Sequence, residues 1–519
     1  MFNIIFQILS ASSAGINTEK LFPYVVKLLA SIDLTTKKLA SWFISQHGDK
    51  EDLALLAINT VVKDCHDANP MVRGLALRTI ISVRLPLVAD HCLPAVIAGL
   101  DDVSAYVRRV AVLSCAKIHH LFPHAILEHS LVDKLYTMIR DPDPIVVTNT
   151  LHALNEILKT EGGVVVNHAI VRYLLARMSS FTDSSLPMIV ATVKKYEPHG
   201  SDEVLDIMNV VDPCLKSGNA SLLLQTIECF RYVIRRDLPH LENKVIRRAS
   251  GQLLHFITVD DPETSFILLE YVDSLLLAGH ASIFQPHYRV FFCRYTEPAY
   301  VKRKKISMLP ALTSETSLSE VIEELGMYSV DVLEPVAAEA IVAVGRIARI
   351  FPSRAAETAE MFISLLDTRV SSIATDVLTV MQDLNLRMLP NLAAVLAAVE
   401  RYAVTDVESE ESQSAVICLL GEYGEHIDAA PYILERFIEM VREEPSSRIQ
   451  ASLLAASTKL FVKRPPECQE LLGRVLEMCV NSDDVELQDR AIVYYQLLKT
   501  DARKMENLFA FGTAESIVK

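Results

Sequence analysis

The chain has 519 residues, 65 acidic against 50 basic, for a formal net charge of −15, and half of its residues are hydrophobic with a mean hydropathy of +0.26. That length exceeds what one compact core organises, yet no low-complexity linker divides it. An acidic body of this kind repels nucleic acid over most of its surface. No run of ~20 largely apolar residues reads as a membrane span; the best interior stretch, Met388 to Val399, is short and holds Pro390. The hydrophobic excess is therefore assigned to a large buried area that includes surfaces meant for partners. Nine scattered cysteines without a CxxC pair fit buried thiols in a reducing compartment.

Residues 1–20 form an atypical opening. Met1 to Thr18 carry no charged side chain, and no Lys or Arg precedes Lys20. A secretory signal requires a basic start and an unbroken apolar core, so a first helix is the reading here. The segment Glu51 to Asp64 follows. At 100° per residue, Leu53, Leu56, Ala57 and Val61 share one face, and Leu55, Ile58 and Val62 the opposite one. A helix apolar on two sides is sandwiched, with its second side packed on neighbouring helices or offered to a partner protein.

Three stretches then repeat one layout: Asp67 to Val83, Asp102 to Ile118 and Asp141 to Ile157. Each has an acidic turn, a bulky residue followed by Val, and apolar residues at helical spacing. The matching valines, Val72, Val107 and Val146, stand 35 and then 39 residues apart. A period in that range, one helix pair per unit, predicts an all-α, right-handed solenoid of HEAT or armadillo type. His119, His120, His124 and His129 lie between the second and third repeats, but their spacing matches no metal-ligand set. The short GGVVVN run at 162–167 reads as a connection between helices.

The repeat degenerates after Ile157 and returns at Ser329 to Phe351 and Ser409 to Ile427. Between these lies the densest basic run, Lys302, Arg303, Lys304 and Lys305, read as a solvated helix face or a patch for anionic lipid or an acidic partner. Pro298 and Pro310 flank it, and the 295–312 region is the expected hinge. The expected organisation is therefore residues 1–20, a first solenoid part over 21–300 and a second over 301–519. Phosphate loops, GxGxxG, HExxH, GxSxG and CxxC arrangements are absent. No enzyme and no cofactor is expected.

Several segments resemble the trunk of the β-adaptins. Leu21 to Val26, Thr35 to Phe43 and Ile58 to Arg78 resemble its opening; Phe291 to Lys305, Ala340 to Ala348 and Gly421 to Leu434 continue it; Phe461 to Leu476 and Leu487 to Leu498 extend it. The likeness runs in order from about Leu21 to Leu498, and EILKTEGGVVVN at 156–167 is most similar to the branch serving the fourth adaptor-protein complex. The resemblance implies a large subunit of a heterotetrameric vesicle coat adaptor. It implies partnership with a medium, a small and a second large adaptin, and recruitment by a GTP-bound Arf-type GTPase. It also implies peripheral attachment to the cytosolic face of the trans-Golgi network, cargo selection for vesicle transport, and action without clathrin. On the same resemblance, Leu55 and Ile58 align with the GTPase contact. Family members usually start with lysine-rich helical sequence, whereas here MFNIIFQILSASSAGINTEK precedes Leu21, and no hinge or ear is expected after the trunk. Another HEAT-repeat scaffold, such as a coatomer subunit or a nuclear transport receptor, is the competing reading.

Overall fold

The computed structural model describes residues 2–500, apart from 48–50, 84–88, 125–129, 260, 369, 389–390, 405–406, 408 and 444–445. Among the described residues the chain is helical throughout and contains no β-strand. It divides into two compact units, Met1–Leu253 and Leu254–Lys519.

Each unit is a stack of helix pairs. In the first, the helices Leu34–His47, Pro70–Ser82, Ala105–Leu121, Pro144–Ile157, Leu186–Lys194 and Ala220–Asp237 form one row, each packed on the next. A second row, which includes Phe22–Leu28, Glu51–Asp64 and Ala89–Leu100, covers its back. In the second unit, one row runs through Pro262–Leu275, Ala299–Leu312, Glu334–Ile350, Ser371–Asp383, Glu410–Tyr423, Ser447–Lys463 and Val485–Thr500. Its companion row is Leu318–Tyr328, Ala355–Asp367, Leu392–Val404, Ala430–Glu443 and Pro465–Val480. This is the α-solenoid that the repeat predicted.

The acidic turns explain why the helices begin where they do. Asp67, Asp102 and Asp141 each accept a hydrogen bond from the backbone N–H two residues on, at 2.7, 2.7 and 2.8 Å. Asn69 and Asp143 then cap the helices that follow, with Pro70 and Pro144 in the first turn, where a missing N–H costs nothing. The matching Val72, Val107 and Val146 are all buried.

The residue after each valine links one repeat to the next. Arg73 donates from Nε and Nη2 to both carboxylate oxygens of Asp102, at 2.7 and 2.8 Å. Arg108 does the same to Asp141, at 2.8 and 3.0 Å. Both arginines also turn Nη1 back onto carbonyls of their own turn, Asp67 and Ala68 for Arg73, Asp102 and Val103 for Arg108. At the third repeat the position is Val147, and Arg177 reaches back to the carbonyls of Asp141 and Pro142 instead. Close approach completes the stacking in the second unit: a Cβ on Gly421 would lie 2.6 Å from the backbone of Ala456.

The two compact units divide at 253/254, beside the 300/301 boundary expected from the sequence. The expected hinge is instead filled by the helix Ala299–Leu312, with Pro298 as its N-cap and Pro310 within its last turn, where it cannot donate to the carbonyl of Ile306. The opening segment packs as an ordinary member of the stack: the helix Phe2–Ser13 buries Ile5 and Leu9 and contacts Leu34–His47. Among the described residues one helical run, Pro262–Phe291, is long and apolar enough to cross a membrane by length and composition, with a mean hydropathy of 1.4 over an 18-residue window. The sequence reading passed over it. The run is not one regular helix: it changes to a π turn at Leu276–His280, where Gly279 adopts φ 94°, and continues as a 3-10 segment at Gln285–Phe291. Its first part buries Leu268, Leu269, Val272 and Leu275 and packs on Ala299–Leu312.

The Arg73–Asp102 bridge is mostly shielded from water, and Arg73 holds the Asp102 carboxyl below its usual range. Arg73→Ala should cost about 3 kcal/mol, because it strands a half-buried carboxylate, read as a lower urea midpoint for the N-terminal unit. The depressed pKa stabilises the fold above the unfolded value of about 4 and that contribution is lost as pH falls through the folded value. In Arg73→Ala the extra acid sensitivity below about pH 4 should therefore shrink.

Candidate interaction surfaces

The basic run is not a surface patch. Lys302 lies 3.5 Å from Asp331. Lys304 is held by Asp273 at 2.7 Å and Glu270 at 2.8 Å. Lys305 is 1% exposed and bonds Glu297 at 2.6 Å. Arg303 alone is exposed, 3.8 Å from Glu339. Both sequence readings of this run, a solvated face and a lipid patch, fail for three of its four residues. The physical reason was visible in the repeat. Ala299-Tyr300-Val301-Lys302-Arg303 copies Ala105-Tyr106-Val107-Arg108-Arg109, so Lys302 occupies the bridging position and reaches the acidic turn of the next repeat. Arg303 matches Arg109, which pairs with Asp143.

The proposed docking pair also resolves differently. In the helix Glu51–Asp64, Ala57, Ile58 and Val61 are buried, Ile58 with 4% exposure, while Asn59 and Lys63 face outward. Ile58 is therefore packed, and the interior explanation of the second apolar face holds for it. The side chain of Leu55 lies outside the described residues.

Of the histidines, His120 sits 3.3 Å from Glu156, His119 leaves Nδ1 without a hydrogen-bond partner, and His129 lies outside the described residues. No group of three His, Cys, Asp or Glu side chains among the described residues is placed to hold a metal ion. A cavity of about 310 Å³ beside the Arg73–Asp102 bridge is lined by Cys65, His66 and Leu77. Burial pushes the Cys65 thiol up to about 12, as it does Cys92 and Cys229, and thiols held so far above neutrality are poor nucleophiles.

An open cleft of about 690 Å³ runs across the first turns of three helices in the second unit. Glu334, Asp376 and Glu411 line it, with Val370, Ser371 and Ser409. Burial, and then the charges of Glu334 and Glu411, hold the Asp376 carboxyl above its ordinary range. Beside it, Val330, Val332 and Leu333 are exposed, Val332 at 96%. The helix Val485–Thr500 buries only Leu487 and Ala491 and exposes Ile492, Val493 and Tyr495. These surfaces carry no reacting constellation; they are suited to contact.

The family model for the adaptin N-terminal region matches residues 2–502. This chain belongs to the adaptin N-terminal region family. AP-4 complex subunit beta-1 of Mus musculus is 37% identical over 510 residues, 98% of this chain and 68% of that protein. Beta-adaptin-like protein A of Arabidopsis thaliana is 30% identical over 515 residues, 97% of this chain and 61% of its own length. For AP-1 complex subunit beta-1 of Mus musculus the figures are 29% over 503 residues, 95% and 53%. The chain thus spans roughly half to two thirds of these adaptin relatives. A homology model of the full-length AP-3 complex in an intermediate open conformation superposes with a TM-score of 0.59 at 17% identity, covering 96% of this chain and 91% of that one. At that identity the likeness bears on the adaptin fold alone.

Two substitutions separate buried from surface charge. Lys305→Ala should destabilise the C-terminal unit by about 3 kcal/mol by leaving Glu297 unpaired, whereas Arg303→Ala should change its melting temperature by less than about 2 °C. Asp376→Asn tests the cleft. A carboxyl whose folded pKa is raised opposes folding once pH rises above its unfolded value of about 4. The variant should therefore gain up to about 1 kcal/mol at pH 7 and nothing at pH 3, measured by urea denaturation at both pH values.

Proposed function

We propose that this chain is the trunk of a β-type large subunit of a heterotetrameric vesicle coat adaptor, a binding and scaffolding protein in intracellular protein transport. The observation that carries this is the family match over residues 2–502, together with relatives named as β subunits of adaptor complexes. Its partners are a medium, a small and a second large adaptin. The exposed Val330, Val332, Leu333, Ile492, Val493 and Tyr495 supply apolar area for such contacts, since obligate interfaces resemble a core cut in half.

The finer reading places the assembly on the cytosolic face of the trans-Golgi network, recruited by an Arf-type GTPase in its GTP form and acting without clathrin. It rests on the resemblance to the fourth adaptor-protein complex and on the 37% identity to its mouse β subunit. GTP orders the switch segments of such a GTPase and creates a surface that the GDP form lacks. The inward side chain of Ile58 speaks against the Leu55–Ile58 pair as the point of contact.

Expressed alone, the chain should aggregate or bind an exposed-patch dye, and co-expression with medium, small and second large adaptins should yield a stable complex on size-exclusion chromatography. A monodisperse chain that ignores all three adaptins would overturn the reading.

A further inference from the structure

With the 302–305 run turned inward, the exposed cationic surface of this acidic protein lies elsewhere. Residues 231–248 hold six cationic side chains against two acidic ones. They form the corner between the helix Ala220–Asp237, the short turn Pro239–Leu241 and the helix Glu242–Val259. Arg231 bonds Glu242 at 2.9 Å and Glu228 at 3.3 Å, which pins the end of the first helix to the start of the second. Arg248 is paired with Asp212 at 2.6 Å. Arg235, Arg236, Lys244 and Arg247 are exposed and have no acidic partner among the described residues. The corner is open to water, since 235–237, 239–240, 243–244 and 247–248 are all exposed.

Helix stability accounts for only half of this arrangement. Arg235 and Arg236 sit in the last turn of their helix, where the macrodipole favours cations. Lys244 sits in the first turn of the next helix, where the same dipole opposes it, and Arg247 lies one turn further on. A cation held in an unfavourable place, beside three more at the same corner, indicates a demand from outside the fold.

We infer that this corner docks on an anionic lipid surface. Four flexible cationic side chains exposed on both sides of one turn can meet a plane of anionic headgroups together. Charges further from the contact than the Debye length of ~8 Å are largely screened, so the −15 body does not prevent an exposed corner from approaching. Each basic residue near such a surface is worth roughly fivefold in binding. This inference rests on local charge and exposure and is independent of which adaptins the chain assembles with.

Vesicle flotation of the chain in its co-expressed adaptin complex tests it, with phosphatidylcholine–phosphatidylserine vesicles against pure phosphatidylcholine. Wild type should float with the mixed vesicles only, and less at high salt. The variant R235Q/R236Q/K244Q/R247Q should lose about six-hundredfold in partitioning with an unchanged thermal melt, while R235K/R236K/R247K should retain binding. Neutralising four other exposed cations of the same unit, Arg78, Lys117, Arg172 and Lys216, should change partitioning less than about threefold. Wild-type partitioning by the Gln variant, or an equal loss from the control set, would overturn the assignment. So would failure of the wild type to float together with capture of a poly-glutamate peptide that depends on the same four residues, which would assign the corner to an acidic protein.

Discussion

Each helix pair in this chain has an apolar face that it cannot cover by itself, so every repeat depends on the next one being in register. Apolar stacking alone is non-directional and tolerates slippage. The bridge from Arg73 to Asp102, and from Arg108 to Asp141, removes that tolerance, because a two-point guanidinium–carboxylate contact has one geometry. The same arginines cap carbonyls of their own turns, so the local helix start and the contact between repeats are set by one side chain. In the second unit Lys302 reaches Asp331 from the equivalent position, a single-point contact in place of the arginine fork.

This constraint also governs the distribution of charge. A stack built on acidic turns consumes cations in its interior, and Lys302, Lys304 and Lys305 are consumed in that way. Density of positive charge along the chain is therefore a poor guide to positive charge on the surface. The corner at 231–248 is less dense in sequence, yet it leaves four cations in water, because among the described residues Arg231 and Arg248 alone of its six find acidic partners.

For an adaptin trunk these features have a functional sense. An acidic cleft and apolar side chains in water are surfaces suited to contact with other molecules. Stacked repeats supply long edges on which separate contacts can be placed, and each contact is tuned by a few side chains without disturbing its neighbours.

The helical repeat, the acidic turns with their caps and the family were legible along the chain, because periodicity and capping are local and a turn of helix spans four residues. The bridging role of Lys302 was legible too, in the identity of its surroundings with those of Arg108, but only once Arg108 was known to bridge. What the tertiary structure alone decided is exposure. Ile58 and Val62 share a predicted face, yet Ile58 is buried and Val62 only half-buried. Lys305 is enclosed with Glu297 and Arg303 is not, because the helices packed around them, Pro262–Leu275 and Glu334–Ile350, come from other repeats. A one-dimensional pattern records which residues can pair; packing between repeats decides which of them remain in contact with water.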